Sequence, residues 1–174
     1  MMFPLALLLV AGVPMLLEAR LAARHDRALR AAGAAEPPKD VYPLMQVVYP
    51  ACFAGMAVEA WWRGSLPEGT LFVAGAGLFA AAKLLKYWAI AALGPRWTFR
   101  VLVPPHATRV VSGPYRFLAH PNYLAVVGEL AGMGMMAQAP VAAAASLAGF
   151  GALLLARIRI EERALARPAS PFEP

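Results

Sequence analysis

Four stretches of this chain carry no charge at all: Met1 to Leu17, Val41 to Val58, Gly69 to Ala82, and the 27 residues from Leu130 to Ala156. A bilayer core about 30 Å thick is crossed by roughly 20 helical residues, so runs of this length read as membrane spans. The first two suffice for one crossing each once polar ends reach the interface. The third spans with Lys83 and Lys86 inside it, because apolar sequence resumes through "YWAIAALG" to Gly94. The last is too long for one crossing once Tyr123 to Gly128 precede it, and it breaks at "AQAP", where Pro140 suits the first turn of a new helix. The expected fold is therefore all-α: one membrane domain over residues 1–174, with five transmembrane helices at about 2–22, 42–62, 69–93, 121–137 and 140–163. Only 15% of its 174 residues are charged, against about 25% in a typical soluble domain.

The formal net charge of +6 first suggests a nucleic-acid partner. Its distribution excludes that reading. Arg20, Arg24, Arg27, Arg30 and Lys39 lie between helices one and two, Arg96, Arg100, Arg109 and Arg116 between three and four, and Arg157, Arg159, Arg163 and Arg167 at the C-terminus. Thirteen of sixteen basic residues thus fall on one side, and only Arg63 falls in an opposite loop. This is the positive-inside bias, which puts the N-terminus outside and the C-terminus in the cytoplasm. The first helix lacks a basic leader, and further spans follow it, so it reads as an uncleaved span. Cys52 is the sole cysteine and excludes a disulfide framework or thiolate metal site. "AAGAAEPPKD" reads as a linker and "RPASPFEP" as a frayed tail.

Candidate chemistry gathers on the cytoplasmic side. In "GPYRFLAHPNYL" Pro121 suits a first helical position, which leaves His120 at a helix N-terminus whose free N–H groups favour an anion. Tyr123 lies less than a turn further in. For Tyr115 and Trp97 a plain interfacial aromatic belt is an equal account. In "ARIRIEERAL" Arg157 and Glu161 share a helix face, while Glu162 turns about 140° away from Arg157. Within the spans, Lys83 and Lys86 share a stripe and could snorkel to the interface, and Glu59 to the far headgroups. Glu129 needs a partner, Lys83 or Lys86. "GAG" at Gly75 to Gly77 lies within a span and suits close helix packing.

Together, "SGPYRFLAHPNYLAVVGEL" and, across a hairpin, "RIRIEERAL" resemble the isoprenylcysteine carboxyl methyltransferase family over roughly Leu93 to Leu165. The resemblance implies an integral membrane methyltransferase that uses S-adenosylmethionine. Carried over, the cofactor-binding residues are Gly113, Pro114, Tyr115, Arg116, His120, Pro121, Tyr123 and Glu161, in a cofactor half at 94–167, and Arg157 and Glu162 are catalytic. The arginine usual before His-Pro is Ala119 here, with Arg116 as its substitute. The N-terminal half, with "YPLMQVVYPACFAGMAVEAWW" and "LGPRWTFRVLV", looks closer to small bacterial members associated with type III polyketide synthases. That implies a bacterial inner-membrane enzyme acting, among membrane lipids, on a lipophilic acceptor: an alkylpyrone or phenolic lipid, or an isoprenylcysteine-like carboxylate. A nicotinamide-dependent enzyme like the sterol reductases and a non-catalytic scaffold are the competing readings.

Overall fold

The computed structural model describes residues 2–37, 40–104 and 110–166, with side chains through 164. Lys39, Arg109, Arg167 and the "RPASPFEP" tail lie outside them. Five α-helices form a bundle: α1 (Met2–Ala31), α2 (Tyr42–Arg63), α3 (Gly69–Leu93), α4 (Pro121–Ala137) and α5 (Pro140–Ala166). Among the described residues there is no strand, only an isolated bridge between Ala35 and Val103. Three helical stretches are long and apolar enough to cross a membrane: Met2–Ala31, Gly69–Arg96 and Pro140–Ala164. The protein is an integral membrane protein. By length and composition α2 and α4 fall short: α4 has 17 residues, about 25 Å at 1.5 Å per residue, and α2 sets Gln46, Pro50 and Glu59 among its apolar residues.

Local punctuation sets the ends. Pro121 and Pro140 start α4 and α5, and Gly64, at φ 64°, stops α2 in a left-handed cap. The first helix outruns its expected end at residue 22. Ala22, Ala23, Arg24, Arg27, Ala28 and Leu29 are good helix formers, and nothing breaks them before Gly33 at φ 82°.

Helix packing follows from small residues and from charge. α3 and α4 form the most extensive pair in the bundle. A Cβ on Gly75 would come within 2.7 Å of the Gly132 carbonyl oxygen, and one on Gly132 within 2.6 Å of the Phe79 nitrogen. The two backbones therefore touch, as "GAG" suggested, though through Gly75 alone, since a Cβ on Gly77 would meet nothing within 4 Å.

Lys83 and Lys86 do not snorkel. Both are buried, and each bridges Glu18 of α1 to Glu129 of α4, at 2.9 and 3.1 Å for Lys83 and 3.0 and 2.8 Å for Lys86. Tyr49 of α2 donates to Glu129 at 2.5 Å. With little water to reach, compact neutralisation wins over extension toward the interface. Glu59 likewise stays in the protein. It accepts from the N–H groups of Val141 and Ala142, at 3.3 and 2.6 Å, and so caps the start of α5.

The quartet of Glu18, Lys83, Lys86 and Glu129 has no net charge when all four ionise. Glu129→Gln leaves one buried positive charge in excess and should cost roughly 3 to 5 kcal/mol, the scale for a broken buried pair. Adding Lys86→Met restores neutrality and should recover much of that loss. Thermal unfolding in detergent compares them, and a double variant no more stable than Glu129→Gln refutes the charge-balance account.

Candidate functional site

One end of the bundle gathers the charged starts and ends of several helices. α1 extends past the apolar stretch there, and His25 Nδ1 meets the Trp97 carbonyl oxygen at 2.8 Å. The described residues of the expected linker, 31–37 and 40, are not slack. Ala35 and Val103 exchange both backbone hydrogen bonds, at 3.0 and 2.9 Å. Glu36 takes hydrogen bonds from Arg30 and, at 2.8 Å, from Arg100. Burial acts to raise the Glu36 carboxyl, and its bonds to Arg100 and Arg30 outweigh this, holding it below its usual range.

Gly113 and Pro114 open a 3₁₀ turn over Gly113–Arg116, and their work is packing. Gly113 has φ 57°, and a Cβ there would lie 2.8 Å from Ala92 Cβ and 3.2 Å from Trp88 Nε1. Only glycine fits both the backbone angle and the space. Pro114 is fully buried beside it. This seats the turn on α3 and leaves Tyr115 half-buried. Burial, and then the charge of Glu161, hold the Tyr115 phenol well above its ordinary range. Arg116 is exposed, its guanidinium carbon 5.8 Å from the centre of its neighbour Phe117's ring.

His120 and Tyr123 stack, ring centres 5.4 Å apart and planes 24° from parallel. Pro121, fully buried, fixes that start of α4 but has no N–H. Tyr123 and Leu124 both direct their N–H groups to the His120 carbonyl, 3.2 Å away. The helix start thus offers an anion less than the sequence suggested. Asn122 Oδ1, by contrast, is buried without a hydrogen-bond partner among the described residues.

From α5, Glu161 accepts the Tyr123 hydroxyl at 2.5 Å, and Glu162 Oε1 stands 3.4 Å from His120 Nε2. Arg157 is 4% exposed and pairs with neither glutamate. Its Nη1 donates to both oxygens of Asp40, at 2.6 and 2.7 Å, its Nη2 to the Phe99 carbonyl at 2.5 Å, and its Nε to the Tyr123 hydroxyl at 3.4 Å. Asp40 escaped the sequence reading. Its one local signal, an acidic side chain two residues ahead of a helix, shows in its 3.1 Å bond from the Tyr42 N–H. The structure thus brings Tyr115, His120, Tyr123, Arg157, Glu161 and Glu162 together, sets Gly113, Pro114 and Pro121 beneath them, and leaves Arg116 at the surface.

Outward from His120 and Tyr123, a groove of about 510 Å³ runs between α4 and α5. Its walls are Leu124, Val127, Leu147, Leu154, Leu155 and Ile158, apolar throughout. That volume suits a small lipophilic ligand. Another concavity, about 370 Å³ beside Arg63, Glu68 and Gln138, lies at the opposite helix ends, away from this chemistry.

A model of the isoprenylcysteine carboxyl methyltransferase family matches residues 75–167. An uncharacterized protein of Bacillus subtilis, YpbQ, is 27% identical over 157 residues, covering 85% of this chain and 88% of its own. An uncharacterized protein of Haemophilus influenzae is 27% identical over 143 residues, covering 82% of this chain and 83% of its own. No solved structure matches the chain.

Proposed function

The chain belongs to the isoprenylcysteine carboxyl methyltransferase family, a membrane methyltransferase family using S-adenosylmethionine, and from that premise we propose that it O-methylates a lipophilic acceptor. One observation carries the reading: the polar cluster and the apolar groove meet at the His120 and Tyr123 rings. A water-soluble cofactor and a lipid can reach one point from two phases only through such a junction. We further propose five spans, α2 and α4 completing the bundle, with the N-terminus outside, the site cytoplasmic and the bacterial inner membrane as its location. In this arrangement 94–167 forms the cofactor half of a single domain, and 1–93 braces it.

The residues present fit S-adenosylmethionine. Asp40 neutralises Arg157, so Glu161 and Glu162 leave the cluster negative, as a ligand carrying an ammonium and a sulfonium requires. The open acceptor of Asn122 and the rings of Tyr115, His120 and Tyr123 suit a ribose hydroxyl and the adenine face. The cofactor supplies a methyl group on a positively charged sulfur. The chain's own work is alignment and exclusion of water, because transfer disperses charge. Glu162, exposed and beside His120, takes the proton of a neutral acceptor hydroxyl. Arg157 spends its Nη1 on Asp40 and one Nη2 donor on the Phe99 carbonyl, and meets the Tyr123 hydroxyl through Nε at 3.4 Å.

Purified protein should retain labelled S-adenosylhomocysteine in preference to NADPH. His120→Ala and Glu161→Ala should each weaken that binding by about 1 to 3 kcal/mol, the scale of a lost charged hydrogen bond. Retention of NADPH alone would replace the methyltransferase with a reductase, and no ligand at all would leave a scaffold.

Acceptor class shows in the pH profile. Methyl transfer to an alkylpyrone should rise between pH 6 and 9 as the acceptor hydroxyl ionises, and Glu162→Gln should slow it. A carboxylate acceptor is ionised above about pH 6 and gives a flat profile from the start. Transfer only to a prenylcysteine analogue, with a flat profile, would replace the proposed acceptor. A reporter fused after Pro174 should be active in the cytoplasm and one at Gly64 to Pro67 outside. The reverse pattern would contradict the orientation.

A further inference from the structure

We infer that Asp40 is a positioning residue that reserves Glu161 for the site by holding Arg157 away from it. This rests on the proposed function, which makes Glu161 a cofactor ligand. Asp40 lies outside residues 75–167, the part matched to the family, and 117 residues before Arg157.

Arg157 and Glu161 stand one turn apart on α5, the spacing at which an arginine and a glutamate pair along a helix. They do not pair here. Tyr123 holds Glu161, and Arg157 turns to Asp40 instead. Asp40 is built for the task. Oδ1 also accepts the Tyr42 N–H at 3.1 Å and Oδ2 the Val101 N–H at 3.3 Å, so each oxygen takes two hydrogen bonds. Both side chains are only 5% exposed, so neither charge can turn to water instead. With Asp40 uncharged, Arg157 would be a buried cation whose nearest unspent carboxylate on its own helix face is Glu161. Pairing would cancel the charge offered to the ligand's ammonium and draw the carboxylate off Tyr123. The Val101 N–H and the Phe99 carbonyl tie this arrangement to the segment 97–101, and the Tyr42 N–H ties it to the start of α2, so loop and helix hold the pair from both sides.

The test uses the full chain in nanodiscs with labelled S-adenosylhomocysteine as probe. Asp40→Asn, equal in size and uncharged, should weaken binding at least tenfold. Asp40→Asn with Arg157→Gln removes the competing cation as well, and should bring affinity back to within about fivefold of the unmodified chain. Removing an unpaired buried cation also mends a weakened scaffold, so affinity is measured on the folded fraction of each variant, and a loss of binding sites in Asp40→Asn with the affinity of the remainder unchanged overturns the inference. Where Asp40→Asn alone fails to fold, the double variant, with no unpaired buried charge, still decides: retained binding supports the inference, and lost binding overturns it. Asp40→Asn within twofold of the unmodified chain overturns it, as does a double variant no better than the single. Failure of the unmodified chain to bind the probe would instead remove the proposed function, and this inference with it.

Discussion

Everything in this bundle is arranged around four buried charges. Glu18, Lys83, Lys86 and Glu129 form a closed ring in which each lysine touches both carboxylates, within 2.8 to 3.1 Å. A single buried pair has its charges satisfied on one side only, and its desolvation outweighs much of the attraction. In the ring every charge has two opposite neighbours. Lipid is as apolar as leucine, so helices in a bilayer gain little from burying leucine against leucine. What selects one packing over another is then polar and small-residue contact. Here the ring joins α1, α3 and α4, Tyr49 adds α2 through Glu129, and Gly75 with Gly132 permits α3 and α4 to approach closely enough for lysines to reach.

The ring lies inside the bundle, deeper along α3 and α4 than the candidate site, and determines where the site can form. With α3 and α4 locked in register, Ala92 and Trp88 present the seat into which Gly113 folds, and the first turn of α4 is fixed in depth. The extension of α1 then steadies the facing segment through His25 and the Trp97 carbonyl, and Asp40 reaches across to Arg157. Glu59, at the opposite end, performs the same service for the start of α5. Long-range polar contacts, rather than loop composition, give the site its shape.

Much of this was legible in the sequence. Proline at 121 and 140 acts through backbone geometry, which is local, and the helix starts it implies agree with the structure. The clustering of His120, Tyr123, Glu161 and Glu162 was legible too, through two motifs joined by a hairpin. What escaped was pairing. Glu18 ends an uncharged run and looks like the first residue of a solvated end, while its lysines lie 65 and 68 residues on. Asp40 sits in a stretch rich in alanine and proline that reads as slack. Spacing along a helix shows that Lys83 and Lys86 share a face, but not that carboxylates from two other helices meet it.

The location of the two glutamates bears on how the proposed reaction avoids working against itself. Methyl transfer discharges the sulfonium, so a carboxylate held against that sulfur would favour the bound state over the transition state and slow the step. An ammonium keeps its charge throughout, and a carboxylate bound to it contributes affinity without raising the barrier. Glu161 is held by a hydrogen bond from Tyr123, in the first turn of α4 next to His120, while Asp40 keeps Arg157 from pairing with it. That favours the ammonium as its partner. Glu162 is exposed and beside His120, where a proton can be taken and passed to water. In the proposed reaction, two carboxylates adjacent in sequence are thus separated in task by what each touches: Glu161 by a half-buried tyrosine, Glu162 by a histidine at the edge of an apolar groove.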